Sequence, residues 1–407
     1  MHNTYSQTLD NTSINKEYKI AKGWAIFIYV FAPLLIALFG SILIMPFIPS
    51  AAENEVPVEV YWIIIPISVT MIVLFIIGII DTIKGKFVIG HDRIYLNTTL
   101  TKRTLLLDEI KGYRVTSKFI FIESSTKGKK QIKLSTYVGS KGEIIAWLAS
   151  HYPDLDKLTA EMEEHEILEN KDFGATVVER EQRLKKARTT TKIINWTAGL
   201  ISAWTFFAPD PYEYLIVALM IIPIPAILIL KFSKGIIRLE DKNDTAYPTI
   251  FAAVFFPAIV LAIRALLDYN IFNYENIWLP ACSITAFIMT VVILGNNEFS
   301  FRKLKGYLLA LFFSACFFAY TYGTIIGLNN ILDQSIPQVY HAKILSKRIS
   351  SGKTKSYYFK LTSWGPEKYS EEVSVSKELY NELGNNDIVT IYFSKGRFDI
   401  PWFVVGE

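Results

Sequence analysis

Two charged side chains stand where lipid is expected. In "AIRALLDYN" (262–270) Arg264 is followed one helical turn later by Asp268, inside an otherwise apolar run. A charge within the hydrocarbon marks an ion path, a proton relay or a pair that neutralises itself. The i, i+4 spacing lets the two meet on one helix face, and the position near a helix end lets Arg snorkel to the surface. An intramembrane ion pair of structural kind is therefore the expectation. Other chemistry has little to stand on. The five histidines (His2, His91, His151, His165 and His341) are scattered, and the two cysteines, Cys282 and Cys316, lie in apolar runs as small hydrophobes. His165 sits among glutamates in "AEMEEHEILEN" (160–170), whose carboxylates point around a helix instead of converging on a metal. There is no H-E-x-x-H, no G-x-S-x-G and no P-loop. No catalytic residue, cofactor or metal ligand is assigned, and no enzymatic activity is expected.

The elements that would carry these residues are largely membrane helices. Of 407 residues 51% are hydrophobic, and 20% are charged. The mean hydropathy of +0.29 lies above that of ordinary soluble domains, so spans are expected, with the charge gathered into water-facing modules. A net charge of +4 with no dominant basic stretch gives no case for nucleic acid, and no nucleic-acid partner is expected. Seven stretches are long and apolar enough for a span: Trp24–Phe47, Tyr61–Ile80, Ile193–Ala208, Tyr214–Leu230, Thr249–Leu267, Ile277–Leu294 and Tyr307–Leu328. The third and fourth are short enough to be a hairpin that dips into the bilayer. Lys and Arg alternate between loops without exception: 21 in residues 81–192, none in 209–213, four in 231–246, none in 268–276 and three in 295–306. Basic loops stay cytoplasmic, so the leader (1–23) is expected in the cytoplasm and the tail outside. "PSAAE" (49–53) resembles a signal cleavage site, but the apolar run before it is too long for a signal core, and an uncleaved anchor is expected.

Between the second and third spans the period changes to two. "FVIG" (87–90), "RIYLNT" (93–98), "RTLLLDEI" (103–110), "YRVTS" (113–117), "FIFIES" (119–124) and "QIKLST" (131–136) read as strands, separated by turn residues. "KGEIIAWLASHY" (141–152) follows as a helix with Ile144, Ile145, Leu148 and Tyr152 on one face. Leu107 is expected inside this module, and Lys129 outside. The strand-turn rhythm, the "LLLDEIKGY" centre and the closing helix resemble a bacterial pleckstrin-homology (PH)-like barrel over residues 84–153. The whole chain resembles the bacterial multi-pass membrane proteins that carry such an insertion. The resemblance implies an inner-membrane location and an adaptor module. The basic pattern that phosphoinositide-binding PH domains carry around their first hairpin is replaced by His91, Asp92 and Arg93. Lys102, Arg103, Lys127, Lys129 and Lys130 remain candidate lipid-surface contacts.

A charged linker of two helices (154–192) leads to the remaining spans (193–328), with "TVVE" (176–179) as a capping box. "GTIIG" (323–327) fits a small-xxx-small packing motif. Residues 337–407 alternate again: three strands, a short helix "KELYNEL" (377–383), then two strands, the order of an OB-like barrel. Its rings Tyr357, Tyr358, Trp364 and Trp402 are expected to pack the core and mouth, not to stack bases. The fold expected is thus a bundle of about seven spans, opening with the hairpin 24–80, plus two small β modules. The function expected is a polytopic scaffold or sensor with protein partners on both membrane faces. The alternative is a transporter or transporter subunit with regulatory domains.

Overall fold

The computed structural model describes residues 15–45, 58–242, 244–296, 298–351 and 355–406. The leader before Asn15 with His2, the 48–57 part of the first loop and its "PSAAE" pattern lie outside these. The chain forms two compact units, Met1–Ala160 and Glu161–Glu407, each described by itself. Six helices among the described residues are long and apolar enough to cross a membrane.

The first unit holds two of these, α1 (Lys22–Ile44) and α2 (Val58–Lys84), which pair with each other and keep most of their side chains exposed. Around them is a β module that begins before the hairpin. Strand β1 (Lys16–Tyr18) pairs with β2 (Lys86–Ile89), Tyr18 lying opposite Phe87. A four-stranded sheet continues through β3 (Arg93–Asn97) to β4 (Lys102–Leu106). A three-stranded sheet, β5 (Ile110–Val115), β6 (Phe119–Ser124) and β7 (Ile132–Ser135), faces it across a common core. Helix α3 (Lys141–His151) closes that core with Ile144 and Leu148, both fully buried, as its 3.6-residue period requires. The expected strands are all present, but residues 84–153 are not the whole module. Tyr18 is buried in the same core as Ile94, Leu105, Ile120 and Ile132, and Ile20 bridges to Val138. The helical hairpin α1–α2 is an insertion between the first two strands of this module. Leu107 opens a 3-10 turn and is half-buried; Leu105, on the strand before it, takes the interior position.

Helix α4 (Leu155–Glu169) carries the chain across to the second unit. There α5 (Val177–Phe207) is a single helix of 31 residues. It joins the end of the charged linker (154–192) to the third apolar stretch (193–208) without a break. Between Val177 and Ala198 there is no Gly or Pro, and Thr189 and Thr191 satisfy their hydroxyls on the carbonyls of Lys185 and Ala187, which lets the helix continue. The capping box is met in part: the Thr176 hydroxyl accepts from Glu179 N–H at 3.2 Å, while the Glu179 carboxylate reaches back to Ala175 N–H. Helices α6 (Tyr212–Ile221) and α7 (Pro223–Phe232) form one span interrupted where Pro223 removes a donor. Then come α8 (Phe251–Asp268), α9 (Glu275–Gly295) and α10 (Leu304–Ile331).

These helices alternate in direction. The Asn195 side chain bonds Thr249 O and Ala253 N at the start of α8, and Arg264 reaches Thr205 O and Phe206 O at the end of α5. The apolar half of α5 therefore runs parallel to α8 along most of its length. Phe313, Phe317, Val254, Ile250 and Leu230 fill the space between helices. Gly323 fulfils the packing expectation: a Cβ there would lie 2.6 Å from the Leu261 carbonyl carbon, so α10 and α8 approach backbone to backbone.

The tail forms β9 (Gln338–Ser351), β10 (Lys355–Leu361), β11 (Glu371–Val375), α11 (Lys377–Glu382), β12 (Ile388–Ser394) and β13 (Trp402–Gly406). They curl into a nearly closed sheet of order β11-β10-β9-β12-β13-β8, in which β8 (Asn270–Ile271) comes from the loop between α8 and α9. The outer edge of β13 is thus occupied by a strand of the helical part.

Candidate functional site

Arg264 is where its spacing places it, but it does more than pair with Asp268. Its guanidinium donates to Thr205 O at 2.8 and 3.1 Å and to Phe206 O at 2.8 Å, and it meets Asp268 Oδ1 at 3.3 Å. The carbonyls at a helix end have no partner within the helix and carry partial negative charge, so this cation caps α5. Asp268 also accepts from the Tyr212 hydroxyl at 2.9 Å, tying in α6. Arg264 as donor and Asp268 as acceptor thus join the ends of three helices. The backbone partners are 58 and 59 residues away in sequence, beyond the reach of an i, i+4 argument.

An expected consequence is an asymmetry between the two partners. Arg264→Ala should lower the abundance of the membrane-inserted protein, because buried charge-assisted bonds contribute about 1.5–3 kcal/mol each. Asp268→Ala should cost less. The double change should recover only part of the loss, since the α5 carbonyls stay uncapped. Quantitative immunoblotting of membranes from matched cultures checks the order; full recovery in the double variant would contradict the capping role.

The tail module is fastened to the same end of the bundle. The fully buried Asn329 near the end of α10 donates to Ile400 O at 2.9 Å, accepts from Phe398 N–H at 2.9 Å through its side chain, and accepts from Arg397 N–H through its carbonyl. Asp333 accepts from the Trp402 indole N–H at 2.8 Å and from Gly396 N–H at 3.1 Å. Burial raises its carboxyl pKa, but the Ser335 N–H, with these two donors, holds it below the usual range. Asn276 adds a bond to Asp399 O. The loop 395–400 is therefore clasped by two helix ends. Trp364 lies in the core and Trp402 at this seam; Tyr357 packs on Tyr380, and Arg348 lies over the Tyr358 ring.

The opposite end is a polar frame. Glu163 on α4 accepts from Thr245 O–H and Ala246 N–H, and Arg238 lies 3.5 Å from the centre of the Tyr247 ring. Glu298 accepts from Leu239 and Glu240 N–H, and Glu240 meets Lys242 and Lys305, which lower its carboxyl pKa against burial. Lys231, Lys234, Arg238, Lys242, Arg302, Lys303 and Lys305 all belong to this end, whereas the connections 208–211 and 269–274 at the tail's end contain no Lys or Arg.

In the first unit, Arg103 bonds Gln131 O beside the turn that carries Lys127, Lys129 and Lys130, so four of the five candidate lipid contacts come together. Lys129 is engaged by Glu109; Lys102, directly before Arg103 on β4, is exposed. His91 and Asp92 form the β2–β3 turn, which is the second hairpin of the four-stranded sheet, because β1 precedes it. Among the described residues no three His, Cys, Asp or Glu side chains gather as a metal centre would need. His151 binds the Trp147 carbonyl, and His165 lies 3.4 Å from Glu169. The polar groups so placed hold helix ends, loops and strands in position. No protein-family model, curated protein or solved structure matches the chain.

Proposed function

We propose that the protein is a seven-crossing scaffold or sensor of the bacterial inner membrane, with a PH-like module on the cytoplasmic face and an OB-like module outside. The observation that carries this reading is that each β module is completed by a strand of the helical part: β1 directly before α1, and β8 between α8 and α9. A partner that loads either module pulls on helices through backbone hydrogen bonds, which is what a device linking two membrane faces requires.

Seven strands in sheets of four and three, closed by a carboxyl-terminal helix, support the PH-like reading. In that reading the first hairpin, where phosphoinositide-binding relatives place their basic pattern, is given over to the membrane hairpin itself. Strands ordered 3-2-1-4-5 with a helix between the third and fourth support the OB-like reading of the tail. The seventh crossing rests on α5, whose apolar half runs beside α8. The segregation of basic residues to the end away from the tail supports the orientation. The core of Phe313, Phe317, Leu230 and Val254 suits a scaffold better than the transporter alternative, which needs a polar path through the same layer. There the Thr285 and Thr321 hydroxyls bond each other at 2.9 Å.

The test is photocrosslinking in the native membrane from Thr126 in the first module and Ser370 in the second, each replaced by a crosslinkable residue. Discrete protein adducts from both positions support the scaffold. Adducts from neither, together with solute uptake into proteoliposomes, contradict it.

A further inference from the structure

Beside α7, at the basic end of the second unit, lies a cavity of about 530 Å³, within the ~300–1,000 Å³ of ordinary ligand sites. Arg183 and Lys186 line it from α5, and Lys234 lines it from the turn after α7. Its floor is apolar: Leu228, Ile229 and Phe232. Arg183 already meets Glu179 at 2.8 Å, but among the described residues Lys186 and Lys234 have no carboxylate partner. Unpaired cations rarely gather over an apolar wall without an anion to neutralise them. The level in the fold matters as well. Phe232 and Lys231 end the stretch Tyr212–Phe232, one of those long and apolar enough to cross a membrane, so the cations fall where phospholipid headgroups would lie.

The other flank of α7 carries a second cavity, of about 460 Å³, between α7, α9 and α10. It shares Leu228 with the first, is walled by Ile224, Ile284 and Phe287, and has Lys231 at its basic end. Lys231 likewise has no carboxylate partner among the described residues. An apolar groove that continues away from a cluster of cations has the polarity of one lipid molecule, with its phosphate at one end and its acyl chains at the other. The carbonyl end of α7 opposes an anion here with about half a charge, which the two lysines without a carboxylate partner outweigh.

We propose that Arg183, Lys186 and Lys234 bind the phosphate of an anionic glycerophospholipid whose acyl chains lie against α7. Lys231 steadies the second chain's side. The site takes the membrane crossing of α6–α7 as its premise, and bound lipid would fasten α5 to α7 on the face away from the tail module.

The test uses full-length protein purified in mild detergent and titrated with fluorescent short-chain phosphatidylglycerol or phosphatidylcholine. Wild type should prefer phosphatidylglycerol. Lys186→Gln with Lys234→Gln should weaken that binding by up to roughly thirtyfold, about fivefold per cation near the headgroups. Lys186→Arg with Lys234→Arg should keep it, which separates lost charge from a damaged fold. Lys360→Gln with Lys368→Gln, exposed in the tail module, should leave it unchanged. Equal affinity for the two lipids, equal binding by the Gln pair, or displacement by the same concentration of inorganic phosphate would each overturn the proposal. Resistance of the protein to carbonate extraction reports on the membrane premise separately, so a soluble protein is told apart from a membrane protein lacking this site.

Discussion

A fragment in which residues 15–20 are joined by a short Gly/Ser linker to residues 86–153 should unfold in one cooperative transition, whereas residues 86–153 alone should not. The reason is Tyr18, 6% exposed, which fills the core between the two sheets from a strand that precedes the α1–α2 hairpin. Without β1 the edge of β2 is bare, and the core loses an aromatic side chain. Removing a buried ring costs about 3–5 kcal/mol. A domain of this size has a total stability of about the same order. Because Tyr18 stands opposite Phe87 in an antiparallel pair, a short linker can close the gap. Within the longer fragment, Ile120→Asp should abolish folding by placing a carboxylate where nothing is exposed. Lys127→Glu, on an exposed turn, should leave the melting midpoint within a degree or two of the parent. Circular dichroism melts check all four, and identical transitions with and without residues 15–20 would show that β1 is a passenger.

The second large effect concerns the seam between bundle and tail. Asn329→Leu removes the acceptor for Phe398 N–H and the donor for Ile400 O from a site with no exposure. Each group left unsatisfied costs about 1–3 kcal/mol. Gly396→Val strikes the same seam from the other side. Gly396 has φ +77°, and a Cβ would collide with the Asn329 side chain and Ile400 O. Either change should release the 395–400 loop while the strands β9–β12 keep their own core of Ile344, Phe359 and Ile391. Limited proteolysis of membranes should then cut near residues 332–337 or 395–400 and liberate a folded tail. Wild type should resist under the same conditions. Unchanged proteolysis in both variants would mean that the β8–β13 pairing alone holds the module.

What was legible in the sequence followed from period and length. Alternation from Lys86 to Ser135 announced six strands, and the 144, 145, 148 spacing announced the buried face of α3. The tail's five strands and helix were equally plain. The strands that join the modules to the helices were not, because β1 has three residues and β8 has two, too few to show any period. Their pairing is decided by tertiary fit. Nor could composition show that the linker and the third span share one helix: a change from charged to apolar residues alters what surrounds a helix, not its backbone, and Thr189 and Thr191 find in-helix acceptors. Arg264 and Asp268 were legible as a pair because four residues separate them. The α5 carbonyls that Arg264 caps, and the meeting of Lys186 with Lys234 across α5 and α7, depend on folding between distant segments.

The central claim is that the two β modules face opposite sides of a membrane crossed seven times. The most direct measurement is labelling of single cysteines in intact cells whose outer barrier has been removed. Cys282 and Cys316 are first replaced by alanine; Ser370→Cys then marks the tail, and Thr126→Cys marks the first module, both at exposed positions. A membrane-impermeant maleimide should label Ser370→Cys in intact cells and Thr126→Cys only after lysis. Labelling of neither position before lysis would put both modules in the cytoplasm and make the number of crossings even, with α5 outside the bilayer. Labelling of Thr126→Cys alone would reverse the orientation; both results contradict the account.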